Sequence, residues 1–299
     1  MPHRESLSFL SANRREPGRV ALLGVPMDHT TSWRPGTRFG PDAIRAASRG
    51  LEEYSPVLDR DLDRLDLADL GDVALPPGDL PGALLAVREA AAEALTRHDF
   101  LFSLGGEHLV TLPLVAAVRQ RWPDLVVLQW DAHADLRDQL AGNPLSHASV
   151  LRRVAEELGP GRVVQIGPRS LVREEEAFAA GHTRLFPVDR AWPAAAADLG
   201  AALLAARPYL GGVPVYLTID IDVADPAYAP GTGSPEPGGV APSDLLGGLY
   251  QLAEWGVRVV GGDLVEVSPP QDPGGITALL AAKLIREALL ALAWEGSLS

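Results

Sequence analysis

The sequence contains no cysteine, which removes disulfides, thiolate metal ligands and a cysteine nucleophile from consideration. Lysine is nearly as scarce: Lys283 stands alone, and the other basic side chains are arginines. Positive charge is short overall, since 26 Lys and Arg face 39 Asp and Glu for a formal net charge of −13. Nucleic acid requires a basic footprint, so that class of partner is excluded. No apolar run approaches the roughly 20 residues of a membrane span. Residues 1–18 are polar and charged, without the apolar stretch of a secretory signal. The expectation is a soluble cytoplasmic protein with no membrane partner. The acidic balance also attracts a small cation at long range, although acidic surfaces commonly serve solubility alone.

What is present is a chain of 299 residues, 46% apolar, long enough for one α/β domain spanning residues 1–299. Short β-rich apolar runs alternate with longer Ala- and Leu-rich segments. Strands are predicted at residues 19–24, 100–104, 125–130, 163–166, 184–188, 215–219 and 257–260, with a further one at or close to 264–267. Helices are predicted at 41–47, 80–97, 109–121, 147–158, 194–206, 243–253 and 277–294. Such alternation implies βαβ units and a mostly parallel sheet covered on both faces, a three-layer α/β/α architecture. The Gly- and Pro-rich stretch 230–239 reads as an ordered loop able to wall a site.

Asp131, His133 and Asp135 fall at every second position directly after the apolar run 125–130, and Asp220 and Asp222 repeat the spacing after 215–219. Residues two apart in extended backbone point to the same side. Each run therefore ends by presenting acidic or imidazole groups in one direction. His108, in Gly105-Gly106-Glu107-His108, offers a second imidazole at a third strand end. Sites in parallel sheets lie beyond the carboxyl ends of the strands, where all three motifs fall. Four carboxylates cannot crowd together ionised without cations, because like charges raise one another's pKa. Two divalent ions would balance them. A set rich in oxygen, with some nitrogen and no sulfur, suits Mn(II) or another hard to borderline ion better than structural zinc, with zinc left open. Any single Asp here also fits a helix cap, but matched spacing across both motifs favours ligation.

The Gly-Gly-Glu-His element, Asp131-Ala132-His133-Ala134-Asp135 and the stretch Thr218-Ile219-Asp220-Ile221-Asp222-Val223-Ala224-Asp225-Pro226 together resemble the ureohydrolases, the arginase and agmatinase family. The resemblance runs from Gly24-Val25-Pro26 to about Pro270. It implies two Mn(II) per subunit held by His108, Asp131, His133, Asp135, Asp220 and Asp222, and hydrolysis of a guanidine to urea and an amine. Ions sharing carboxylates lower the pKa of water toward neutrality, which supplies the nucleophile. Glu266 resembles the family glutamate that pairs with the guanidinium, and His147 resembles its active-site histidine, suited to protonating the departing amine. A trimer or hexamer is implied as well. His29, His98 and His182 lack partners at metal spacing and read as structural or surface residues; Asp225 fits either turn initiation or ligand orientation, and residues 34–41 a structural role beside the site.

Arginases place an acid shortly after an Ile-Gly-x-Arg element, where this chain has Val172 after Ile166-Gly167-Pro168-Arg169. Asn143 is available in the other loop, yet residues 137–142 do not resemble arginase. Residues 51–56 and 224–237 look more like agmatinases, so agmatine is the expected small cationic substrate. Arginine or a guanidino acid is the alternative within the family. A metal-dependent deacetylase of related fold, which needs one ion, and a non-catalytic homologue are the alternatives outside it.

Overall fold

A strand covered on both faces has no solvent side, so it reads as a continuous apolar run. That is the pattern of β1 (Val20–Val25), β5 (Phe100–Gly105), β6 (Val126–Trp130), β7 (Val163–Ile166), β9 (Val215–Asp220) and β10 (Val259–Val265), every residue of which is buried. With β4 (Leu67–Asp72) and β8 (Arg184–Phe186) they form an eight-stranded sheet in the order β4-β1-β5-β10-β9-β6-β7-β8. All its pairings are parallel. β2 (Tyr54–Ser55) and β3 (Arg60–Asp61) make a separate antiparallel pair. The computed structural model describes residues 7–12, 18–188 and 198–294.

Helices cover both faces of the sheet. The helices α1 (Gly40–Ser48), α6 (Leu199–Ala206), α7 (Pro242–Glu254) and α8 (Ile276–Leu292) pack Ile44, Leu203, Leu249 and Leu289 into one core. On the other face α2 (Leu80–Ala94), α3 (Thr111–Arg121), α4 (Val150–Leu158) and α5 (Arg173–His182) pack Val87, Val115, Leu151 and Ala179 into a second. Strand alternation divides the side chains between them: Val126, Leu128 and Trp130 enter the first core and Val127 the second.

The short pair β2 and β3 escapes the sequence pattern, and so do two longer elements, β4 and α5. β4 carries Asp69, Asp72 and a glycine and does not look like a buried strand, but its Asp69 is neutralised by Arg45, whose Nε and Nη2 each donate at 2.9 Å from a side chain 1% exposed. α5 opens Arg-Glu-Glu-Glu and has too few apolar residues to announce itself. Conversely, the predicted strands at 257–260 and 264–267 are one strand, joined through Gly261 and Gly262. A Cβ on Gly262 would lie 2.4 Å from the carbonyl oxygen of Leu217, so the composition that broke the apolar run is what lets neighbouring backbones approach. The helix predicted at 194–206 is observed from Leu199, its residues 194–197 lying outside the described segments.

Gly106, at the end of β5, holds the approach to the site. A Cβ there would sit 2.0 Å from the carbonyl oxygen of Met27, and Glu107 N–H donates to that same oxygen at 2.7 Å. Gly106→Ala must displace backbone, so we expect a loss of roughly 3 kcal/mol, at the upper end of ordinary point substitutions, in urea denaturation. Unchanged stability would show that the Met27 segment yields freely.

Candidate active site

Four adjacent strands, β5, β10, β9 and β6, bring their carboxyl ends to one edge of the sheet. Asp220 closes β9, and His108, Glu266 and Asp131 lie just past the ends of β5, β10 and β6. His108 Nδ1 is 3.0 Å from Asp131 Oδ2, 3.1 Å from Asp135 Oδ2 and 3.3 Å from Asp220 Oδ2. His133 Nδ1 is 3.0 Å from Asp222 Oδ2 and 3.6 Å from Asp131 Oδ1. Two groups of donors result, His108 with Asp131 and Asp220, and His133 with Asp131 and Asp222, each with atoms within 4.8 Å of one another. Asp131 belongs to both.

Convergence has a different cause from the strand pleat inferred from the spacing. β6 ends at Trp130, and Asp131 to Asp135 form a loop in which Asp135 takes a φ of 52°. The loop is folded by the His133 N–H donating to Asp131 Oδ1 at 2.6 Å and by the Arg169 and Ser170 N–H groups donating to the Ala132 carbonyl. Asp222 lies in a 3-10 turn, Ile221–Val223, fixed by its N–H to Asp220 Oδ1 at 2.9 Å and by Ala132 N–H to its own Oδ1 at 3.1 Å.

Burial opposes charge on all these groups, and their neighbours decide the outcome. Against burial, the adjacent carboxylates of Asp131, Asp135 and Asp220 lift His108 well above the usual imidazole range, and Asp222 and Asp131 push His133 up to about 12. The two adjacent imidazoles hold Asp131 well below the usual carboxylate range despite its burial. Burial and the charge of Asp131 raise Asp135 to about 7, and burial with Asp222 and Asp131 raises Asp220 well above the usual carboxylate range. The cluster thus gathers positive charge, and protons occupy the place of cations. His108 Nδ1, though among three carboxylates, makes no hydrogen bond of acceptable geometry, an orphaned buried donor atom that a cation would satisfy. Carboxylate oxygen and imidazole nitrogen without sulfur fit a hard to borderline divalent ion.

The cluster opens into a cavity of about 290 Å³ that both His147 and Glu266 line. Glu266 follows β10 in the left-handed region, φ 65°, a strained conformation held by its N–H to the Gly106 carbonyl and by His108 N–H to its Oε1, each 2.8 Å. Burial lifts its carboxyl to about 8. His147 opens a 3-10 turn capped by Ser146, and its N–H donates to Thr30 Oγ1 at 3.0 Å. The Thr30 hydroxyl donates in turn to Glu107 Oε2 at 2.9 Å. That proton is committed, so the His147 Nδ1 lying 3.4 Å from the same oxygen is the N–H end of the ring, and Nε2, 3.4 Å from Ser32 Oγ, is the basic end.

Sequence reasoning passed over Thr30, Gln129, Arg137 and Glu175. Only Gln129 carried a visible signal, as a polar residue inside an apolar run. Glu175 is buried beneath the cavity and accepts the Leu136 and Val172 N–H groups at 3.0 and 2.8 Å. Arg169 donates to the carbonyls of Asp222, Val223, Glu236 and Pro237 and so pins the Gly- and Pro-rich wall to the site. Asp225 accepts three backbone N–H groups, from Ala227, Gly238 and Gly239, which settles its role as a turn builder. His98 is buried against the Gly18 carbonyl, His182 stacks on Phe178, and His29 is exposed, all apart from the cluster.

Burial, reinforced by positive charge at His108 and His133, lowers His147 from 6.5 to about 4. A folded-state pKa below the unfolded value contributes stability that is complete above about 6.5 and is lost as pH falls toward 4. His147→Gln should flatten the stability curve in that window relative to the wild type, measured by urea denaturation at stepped pH. Parallel curves would show that His147 titrates normally.

Comparison with known proteins identifies the family. The arginase family model matches residues 18–291. Agmatinase of Bacillus cereus is 44% identical over 92% of this chain and 92% of its own length. Guanidinobutyrase of Pseudomonas aeruginosa is 38% identical over 98% of this chain and 90% of its own. The structure of agmatine ureohydrolase of Thermoplasma volcanium superposes with a TM-score of 0.81 at 33% identity, covering 94% of this chain and 92% of that one. With the fold, the motifs and near full-length relatives in accord, the chain belongs to the arginase family.

Proposed function

We propose that this protein hydrolyses the guanidino group of a small cation, foremost agmatine, to urea and an amine, here putrescine, with two Mn(II) per subunit. The observation that carries the reading is the pair of donor groups sharing Asp131 at the base of a cavity that His147 and Glu266 also line. A deacetylase of related fold needs one ion, whereas the second group, His133 with Asp131 and Asp222, provides for another. Ions held there would supply the Lewis acidity that brings the pKa of water toward neutrality.

The chain's own residues account for binding and proton transfer. Glu266 keeps Oε2 available while Oε1 is engaged by His108 N–H, and its carboxylate accepts guanidinium N–H donors. Positive charge beside it favours its ionised form against the upward push of burial. His147 stays neutral at pH 7, with Nε2 as the basic atom that takes up a proton and returns it to the departing nitrogen.

Substrate choice rests on what the cavity offers at its far end. Val172 lines it where an arginase would present an acid, and the Asn143 side chain is engaged with Leu145 at 2.7 and 3.0 Å. An arginine α-ammonium would find no carboxylate there, and burying it unpaired costs several kcal/mol. The relatives named agmatinase support the same choice. One observation favours a second reading, a guanidino acid: Arg137 lines the cavity, and its guanidinium makes no hydrogen bond or ion pair among the described residues. The guanidinobutyrase similarity points the same way.

Urea release after Mn(II) loading, compared for agmatine, arginine and guanidinobutyrate, tests the assignment. Agmatine should exceed arginine by about a hundredfold in kcat/KM, equivalent to roughly 3 kcal/mol. Arginine equal to or better than agmatine overturns this, and guanidinobutyrate winning keeps the chemistry while transferring it to the acid. His147→Ala should retain both ions and lower kcat by about 10²- to 10⁴-fold; undiminished turnover removes His147 from proton transfer. Cytoplasmic residence and assembly as a trimer or hexamer belong to the same proposal. No described helix is long and apolar enough to cross a membrane, and light scattering that finds only a monomer rejects the assembly.

A further inference from the structure

Polar side chains are costly in strands buried on both faces unless fully paired. Yet β6 and β7 carry Gln129 and Gln165 in facing register, both 0% exposed. They belong to a single chain of hydrogen bonds. The Thr183 hydroxyl donates to Gln165 Oε1 at 2.9 Å, and Gln165 Nε2 donates to Gln129 Oε1 at 2.6 Å and to the Ala134 carbonyl at 2.7 Å. Gln129 Nε2 donates to Asp131 Oδ2 at 2.6 Å and to the His133 carbonyl at 3.4 Å. The two backbone carbonyls can only accept, so they fix which end of each amide is the NH₂ group. The chain therefore runs one way, and it ends on Asp131.

Asp131 is the residue the two donor groups share. Its Oδ1 accepts the His133 backbone N–H at 2.6 Å and lies 3.6 Å from His133 Nδ1. Its Oδ2 accepts from Gln129 and lies 3.0 Å from His108 Nδ1. Each oxygen thus takes one protein donor and keeps its remaining lone pair for a different group. An amide donor on Oδ2 also keeps a proton off that side of the atom.

We propose that Thr183, Gln165 and Gln129 form a positioning relay that aims Asp131 Oδ2 at the His108 and Asp220 group. The relay thereby sets cation affinity there separately from the His133 and Asp222 group. It rests on the two-ion reading above. Outer hydrogen bonds of this kind orient ligating groups, and losing one costs about 10- to 100-fold in metal affinity. The polarisation of successive amides along one direction strengthens the last bond of the chain.

Calorimetric titration of the metal-free full chain with Mn(II) provides the test, because it needs no turnover. The wild type should give two binding steps, and Asp220→Ala identifies the one belonging to the His108 group. Gln129→Met, which keeps the side-chain length and removes the donor, should weaken that step by about 10- to 100-fold and leave the other within about twofold. Thr183→Val, a small change at the head of the relay, should weaken the same step by a few-fold, and it carries the test if Gln129→Met does not fold. A merely structural role would instead shift the urea midpoint of the metal-free protein and leave both steps in place. Equal weakening of both steps, or affinity unchanged in both variants, overturns the relay alone. A wild type that binds no Mn(II) overturns the two-ion reading and the relay with it.

Discussion

Asp131, Asp135, Asp220 and Asp222 are gathered within a few ångströms of two imidazoles, with no side chain of the four more than 8% exposed. Four acidic groups in so little water cannot all be ionised unless positive charge joins them. The protein answers with the means it has: the two imidazoles are drawn upward to hold protons, while Asp135 and Asp220 are pushed up toward neutrality. Divalent ions in the same positions would satisfy the demand more fully. The strained Glu266 and the buried Glu107 extend the acidic field further, both carboxyls being raised by their burial. A surface this unfavourable to itself has to be held in place by something else, and the two apolar cores of the sheet are what hold it.

Topology makes the concentration of charge attainable. β9 and β10 return late in the chain and insert between β5 and β6, so the four ends that carry His108, Asp131, Asp220 and Glu266 are neighbours. Parallel strands all finish on one edge, and each contributes only one or two residues there. The glycines at Gly106, Gly261 and Gly262 permit the close backbone approach this needs, since a Cβ at any of them would lie 3.0 Å or less from a neighbouring carbonyl oxygen. Around the cluster, hydrogen-bonded support is paired almost residue by residue: Thr218 with the His108 ring, Gln129 to Asp131, Ala132 N–H to Asp222, and the His147 ring with Thr30. Each removes a rotamer that the charged groups would otherwise explore. The entropy of ordering is met in folding and not at the moment of reaction.

The sequence by itself determined the parallel α/β architecture, because buried strands must be apolar throughout and crossover helices must alternate with them. It also determined which residues stand at the strand ends, since Asp131, His133, Asp135, Asp220 and Asp222 sit where apolar runs stop. β4 and α5 were beyond its reach, as the first is stabilised by Arg45 from another element and the second by a buried Glu175. Only the tertiary structure decided how the candidate ligands divide, with Asp131 shared and Asp135 turned inward through a left-handed backbone. The same holds for the His147 ring orientation and for the glutamine chain behind Asp131, which join residues distant in sequence through single hydrogen bonds. Periodicity records which side chains are buried; it carries no information about which donor meets which acceptor, because that depends on strand order and register that are settled only when the sheet closes around the site.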